Sequence, residues 1–136
     1  MKILALVCRI LLGLLFIVFG ANGFHNFMHM PPPPVGTPVG DWMMLMIKSG
    51  WMPTVNALQI IGGLLVLIGG TLPLGLCILC PITVNILLFH LCMAGGHQIA
   101  PGAFSGMLEI VLIWAYRANF NGILTTKAAP MPAPRT

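Results

Sequence analysis

The chain has 136 residues, 58% of them hydrophobic and only 6% charged, with six Lys and Arg against two Asp and Glu. An ordinary soluble domain carries roughly 25% charged residues, so this composition excludes a soluble enzyme, a secreted disulfide scaffold and a disordered chain. The formal charge of +4 comes from scattered cations; they do not form the clustered basic face that nucleic acid requires, which leaves the lipid bilayer as the expected partner.

The first apolar run, 3–24, is interrupted only by Arg9. Rising ~1.5 Å per residue, a run of this length reaches across a ~30 Å hydrocarbon core. It is too long for the apolar stretch of a signal peptide, and Gly20-Ala21-Asn22 is no small-x-small cleavage site, so it is expected to remain as a helix. The connection from His25 to Pro53 contains Pro31-Pro32-Pro33-Pro34, which must be extended. Asp41 to Ser49 follows as an expected short amphipathic helix, laying Trp42, Met43, Met46 and Ile47 on the membrane interface.

Further spans are expected at about 54–72 and 73–93, joined by a tight turn at Gly69-Gly70-Thr71-Leu72-Pro73. A fourth, at about 103–120, has its apolar part ending at Tyr116 and carries Glu109. Residues 127–136, rich in Ala and Pro, are expected to be a disordered tail. The expected fold is therefore all-α: one domain over 1–126, a polytopic four-transmembrane-helix bundle with a short interfacial helix between helices 1 and 2.

Lys2, Arg9, Arg117, Lys127 and Arg135 fall on one side of such a bundle, and only Lys48, offset by Asp41, on the other. The positive-inside rule then places both termini and the Gly69 turn in the cytoplasm, with the chain in the cytoplasmic (inner) membrane.

Polar residues inside spans are expensive and mark candidate sites. At ~1.5 Å per residue, Gln59 lies about 8 Å, Glu109 about 9 Å, Asn85 about 12 Å and His90 about 5 Å below the outer surface. Asn22 falls in the same outer layer and shares a helix face with His25 and His29. One reading is an outward-opening pocket: Glu109 accepts a proton, His25 or His90 is its partner, and Asn22, Gln59 and Asn85 bind a ligand. The other is that these groups hold the bundle together, each link contributing roughly 0.6–2 kcal/mol. Asn85 and His90, five residues apart, are separated by about 140° around an α-helix, which prevents both from pointing straight into one narrow pocket.

Cys77-Ile78-Leu79-Cys80 puts two thiols on one helix face, the geometry of a redox dithiol, but near the cytoplasmic end such thiols stay reduced. His25, Met28, His29 and Met30 cluster after helix 1, with Met43, Met44, Met46 and Met52 following in the sequence. Thioethers with imidazole suit Cu(I), although Met is also ordinary interfacial filler, and no metal is assigned. Glycines at 20 and 23, 62 and 63, and 102 and 106 let helices approach closely, within the chain or between protomers.

Phe19-Gly20-Ala21-Asn22-Gly23-Phe24-His25-Asn26-Phe27, the proline run at 31–34, Gly62-Gly63-Leu64-Leu65 and Asn85-Ile86-Leu87-Leu88-Phe89-His90-Leu91, with Glu109 followed by Tyr116-Arg117, together resemble the DoxX family of small membrane proteins. The resemblance runs from about Arg9 to Phe120. It implies a four-helix membrane bundle and, through relatives that are small subunits of quinone-linked oxidoreductases, a quinone as ligand. In this sequence Gln59 stands where many relatives are expected to carry Glu, so a pair of buried acids with Glu109 is not expected. Gln59, Asn85, His90 and Glu109 are the residues expected to line the site. No haem ligand pair, flavin motif or nucleotide site is visible in the sequence, so the electron donor is expected to be a partner protein. A non-catalytic scaffold or assembly partner, alone or as a homo-oligomer, is the alternative.

Overall fold

The computed structural model describes residues 2–32 and 34–122; the expected tail at 127–136, with Lys127 and Arg135, lies outside the described residues. In chain order the elements are α1 (Lys2–His25), α2 (Pro38–Lys48), α3 (Trp51–Ile68), α4 (Leu72–Leu88), a π-helical turn (Phe89–Met93), α5 (Ala100–Ala115) and a 3-10 turn (Arg117–Phe120). No strand occurs among the described residues. Three helical stretches are long and apolar enough to cross a membrane: Lys2–His25, Trp51–Ile68, and α4 continued through the π turn, Leu72–Met93. With 16 residues α5 is shorter; at ~1.5 Å per residue it falls short of a ~30 Å hydrocarbon core.

Helix boundaries differ from the sequence expectation in a consistent way, because prolines sit inside first turns rather than before them. A first-turn N–H has no intrahelical acceptor, so its absence costs nothing there. Thus α3 begins at Trp51 rather than 54, with Pro53 in its first turn, and α5 begins at Ala100 rather than 103, with Pro101 next. Likewise α2 begins at Pro38 rather than Asp41, after Thr37, whose hydroxyl accepts the Gly40 N–H at 3.1 Å as an N-cap. At its other end α3 stops at Ile68 rather than 72. There Gly69 takes φ +82, a left-handed value that ends the helix, and the Thr71 hydroxyl donates to the Leu65 carbonyl at 2.8 Å. The last helix does not run on to 120 as one α-helix; beyond Ala115 it passes through Tyr116 into the 3-10 turn.

α1 packs against α3 and α5, α3 against α4, and α4 against α5, while α2 lies on α3. Leu12, Phe16, Val66, Leu72, Leu76, Leu79, Leu108 and Leu112 fill the interior. Only about a third of each long apolar helix is buried (33%, 28% and 33%), and Ile3, Leu14, Ile61, Leu74 and Ile110 point outward. Helices apolar on their outer faces as well as their inner ones are matched to lipid rather than water.

The helices meet backbone to backbone. A Cβ placed on Gly63 would lie 2.8 Å from the Gly13 carbonyl oxygen, and one on Gly20 2.7 Å from the Asn56 carbonyl oxygen. Between α3 and α4, a Cβ on Gly75 would lie 2.9 Å from the Gly62 carbonyl oxygen. The close approaches expected from glycines 20, 62 and 63 are therefore made within the chain. Gly106 differs, since its nearest neighbours would be at 3.6 and 3.7 Å, an ordinary contact.

Gly63→Ala should push α1 and α3 apart and destabilise the protein by about 1–3 kcal/mol. Gly106→Ala should be neutral or slightly stabilising, since it adds helix propensity without a clash. Unfolding of both variants in detergent, followed by tryptophan fluorescence, tests this; equal losses would contradict the backbone contact.

Candidate functional site

A cavity of about 180 Å³ lies between α2, α3 and the C-terminal part of α4. Trp42, Met43 and Met46 of α2 roof it, and Met52, Val55 and Gln59 of α3 form one wall. Ile82, Asn85, Ile86, Phe89 and His90 form the opposite wall. Of the residues expected on the membrane interface, Trp42, Met43 and Met46 are partly buried and line the cavity, while Ile47 is exposed together with Met44 and Leu45.

Trp42 stacks on Phe89 with ring centroids 4.7 Å apart, and Phe89 meets His90 edge-on at 5.2 Å. A second cavity of about 190 Å³ lies along this pair, lined also by Asn85, Leu88, Cys92 and Met93. Asn85 and His90 both line the first cavity, although an α-helix would splay them. The π turn begins only at Phe89, where the Ala94 N–H reaches the Phe89 carbonyl at 3.1 Å, so the two residues border the cavity from different angles.

His90 is held by a hydrogen bond from Nδ1 to the Ile86 carbonyl oxygen at 2.8 Å. A carbonyl only accepts, so Nδ1 carries the proton and, in the neutral ring, Nε2 is left as an acceptor. Gln59 is only 8% exposed, yet its amide makes no hydrogen bond within the described chain and opens onto the cavity. Buried amides are ordinarily paired, so Gln59 brings unspent hydrogen-bonding capacity to the cavity.

The other residues expected in this site lie elsewhere. Glu109, 4% exposed, sits between α4 and α5, where the Thr83 hydroxyl donates to its Oε1 at 2.7 Å and the Cys80 thiol lies beside it. It does not line the cavity with Gln59, Asn85 and His90. Asn22 closes the end of α1: its Oδ1 accepts the Met28 N–H at 2.7 Å and its carbonyl accepts the Asn26 N–H at 2.7 Å. His25 and His29 are exposed.

Three polar residues went unmarked or misplaced in the sequence. Asn56 is buried, with Nδ2 unpaired and packed over Gly23; its spacing of three from Gln59, on the same helix face, was the available signal. Thr83 was hidden in an apolar run. Arg9, read in the sequence as a charge interrupting the first run, packs its guanidinium against Gly69, with Nε buried and unpaired. All four cysteines are free, and Cys77 is exposed while Cys80 is half-buried.

No protein-family model matches the chain, and no curated protein or solved structure is significantly similar to it.

Glu109→Gln keeps an acceptor for Thr83 and should leave stability nearly unchanged. Glu109→Leu strands the buried hydroxyl and should cost roughly 1–3 kcal/mol, part of which Thr83→Val should restore, because removing both partners is close to neutral. A double-mutant cycle on unfolding in detergent measures this; no recovery in the double variant would mean that the pair is not coupled.

Proposed function

We propose that the chain is a DoxX-like, four-span protein of the cytoplasmic membrane that binds a quinone as a small subunit of an oxidoreductase complex. In this reading α5 and the following 3-10 turn together make the fourth crossing, and both termini lie in the cytoplasm. The observation that carries the proposal is the convergence of Gln59, Asn85 and His90 on one otherwise apolar cavity between helices, the usual form of a small-molecule site. Its size suits one ring, since a cavity of about 150 Å³ accommodates benzene. The amide NH₂ groups of Gln59 and Asn85 donate to quinone carbonyl oxygens, while Nε2 of His90 accepts from a hydroquinone hydroxyl and takes its proton. Electrons pass to or from a partner protein. Glu109, bonded to Thr83 away from the ring, keeps a packing role.

The bonding of Asn22, Glu109 and Ser105 within the fold favours the second reading, a non-catalytic scaffold, for those residues but leaves Gln59 unexplained.

Titration of the detergent-solubilised protein with a short-chain ubiquinone analogue should quench tryptophan fluorescence through Trp42. Gln59→Leu should weaken binding about tenfold, the equivalent of one hydrogen bond of ~1.4 kcal/mol. An affinity unchanged in that variant would remove the quinone reading. For orientation, single cysteines introduced at Lys48 and His97 should react in intact cells with a membrane-impermeant thiol reagent, and one in the C-terminal tail should not. The reverse pattern would invert the topology.

A further inference from the structure

We propose that the roof of the cavity is a Cu(I) site formed by the thioethers of Met43, Met46 and Met52 and by Nε2 of His90. Met43 and Met46 are three residues apart on α2 and therefore share one face. Met52 follows in the first turn of α3, after the chain doubles back at Gly50, whose φ of +77 permits the reversal. His90, distant in sequence, lines the same cavity from the start of the π turn. All four side chains are partly buried and line one cavity.

The ligand chemistry is selective. Thioether sulfur is soft and imidazole borderline, a combination that suits Cu(I) and not the oxygen-seeking Mg²⁺ or Ca²⁺. No carboxylate lines the cavity. Among the described residues no group of three or more His, Cys, Asp or Glu side chains is placed to hold a metal ion, and no cysteine lines this cavity, so its soft donors are the methionines. The hydrogen bond from Nδ1 of His90 to the Ile86 carbonyl is also the arrangement that orients a metal-ligating imidazole, fixing the tautomer and leaving the other nitrogen free. Unbranched methionine side chains can converge on an ion without a rigid preformed cage. The site shares His90 with the quinone reading but takes its other ligands from the methionines, not from the amides of Gln59 and Asn85.

The test is an anaerobic titration of the full chain in detergent with Cu(I) in competition with a chromogenic Cu(I) chelator. One equivalent should bind, with copper X-ray absorption showing sulfur and one nitrogen in the coordination shell. Met43→Leu with Met46→Leu, which keeps side-chain volume, should weaken binding by roughly tenfold or more, and His90→Gln should act in the same direction. Cys92→Ser, at the neighbouring cavity, should leave binding unchanged. Where the double variant is not recovered folded, Met52→Leu alone should show the weakening. Failure of wild type to compete for Cu(I) would overturn the proposal. So would binding that survives the methionine substitutions or that is lost on Cys92→Ser.

Discussion

Contact between helix backbones at glycine is the constraint on which the rest of this structure depends. In a lipid environment apolar side chains gain little by leaving lipid for protein, so helices associate through close packing and a few polar links. The α1 and α3 backbones touch at Gly13 and Gly63 and again at Gly20, and α4 is drawn onto α3 where Gly75 meets the Gly62 carbonyl. These contacts do more than hold helices together. A Cβ on Gly20 would also lie 3.1 Å from Cβ of Gln59, so α1 backs the stem of Gln59 from one side while the cavity opens on its amide. The Gly62–Gly75 contact fixes the height of α4 against α3, and with it the level at which Asn85 and His90 stand opposite Gln59.

The roof is held differently. The hydroxyl of Thr37 donates to the Pro34 carbonyl at 2.8 Å and accepts from the Gly40 N–H, and Gly40 packs directly against that same carbonyl. The end of the proline run thus acts as a strut under the first turn of α2 and sets its rotation. That rotation decides which methionines enter the cavity and which face outward. Stacking of Trp42 on Phe89 ties the other side of the roof to the π turn, so α2 and the end of α4 position one another.

Much of the fold was legible because long apolar runs are a property of composition, robust to errors of a few residues. The boundaries were less so, since the helices were started after Pro38, Pro53 and Pro101 although each is at home in a first turn. The same shift of three residues puts both Gln59 and Glu109 ~4.5 Å deeper, so depth still groups them; what separates them is the neighbour each faces, Glu109 meeting Thr83 of α4 and Gln59 the cavity under α2. Which side chains of α2 meet the cavity depends on a cap and a strut whose partners lie outside the helix, and periodicity alone does not show them.

Polarity within an apolar helix did not distinguish a site from structural support; remaining hydrogen-bonding capacity does. Asn22, Thr83, Glu109 and Ser105 are buried and bonded within the fold, and a ligand would have to displace a bond to engage them. Gln59, Asn85 and Nε2 of His90 have no such bond, and all three residues line one cavity. Asn56 shares the unpaired state at Nδ2 but is packed over Gly23 on the α1 side, where a close helix contact fills the space a ligand would need. An unpaired buried group therefore points to a ligand only where the packing leaves room beside it, and in this chain the glycine contacts close that room around Asn56 while α2 roofs it over Gln59.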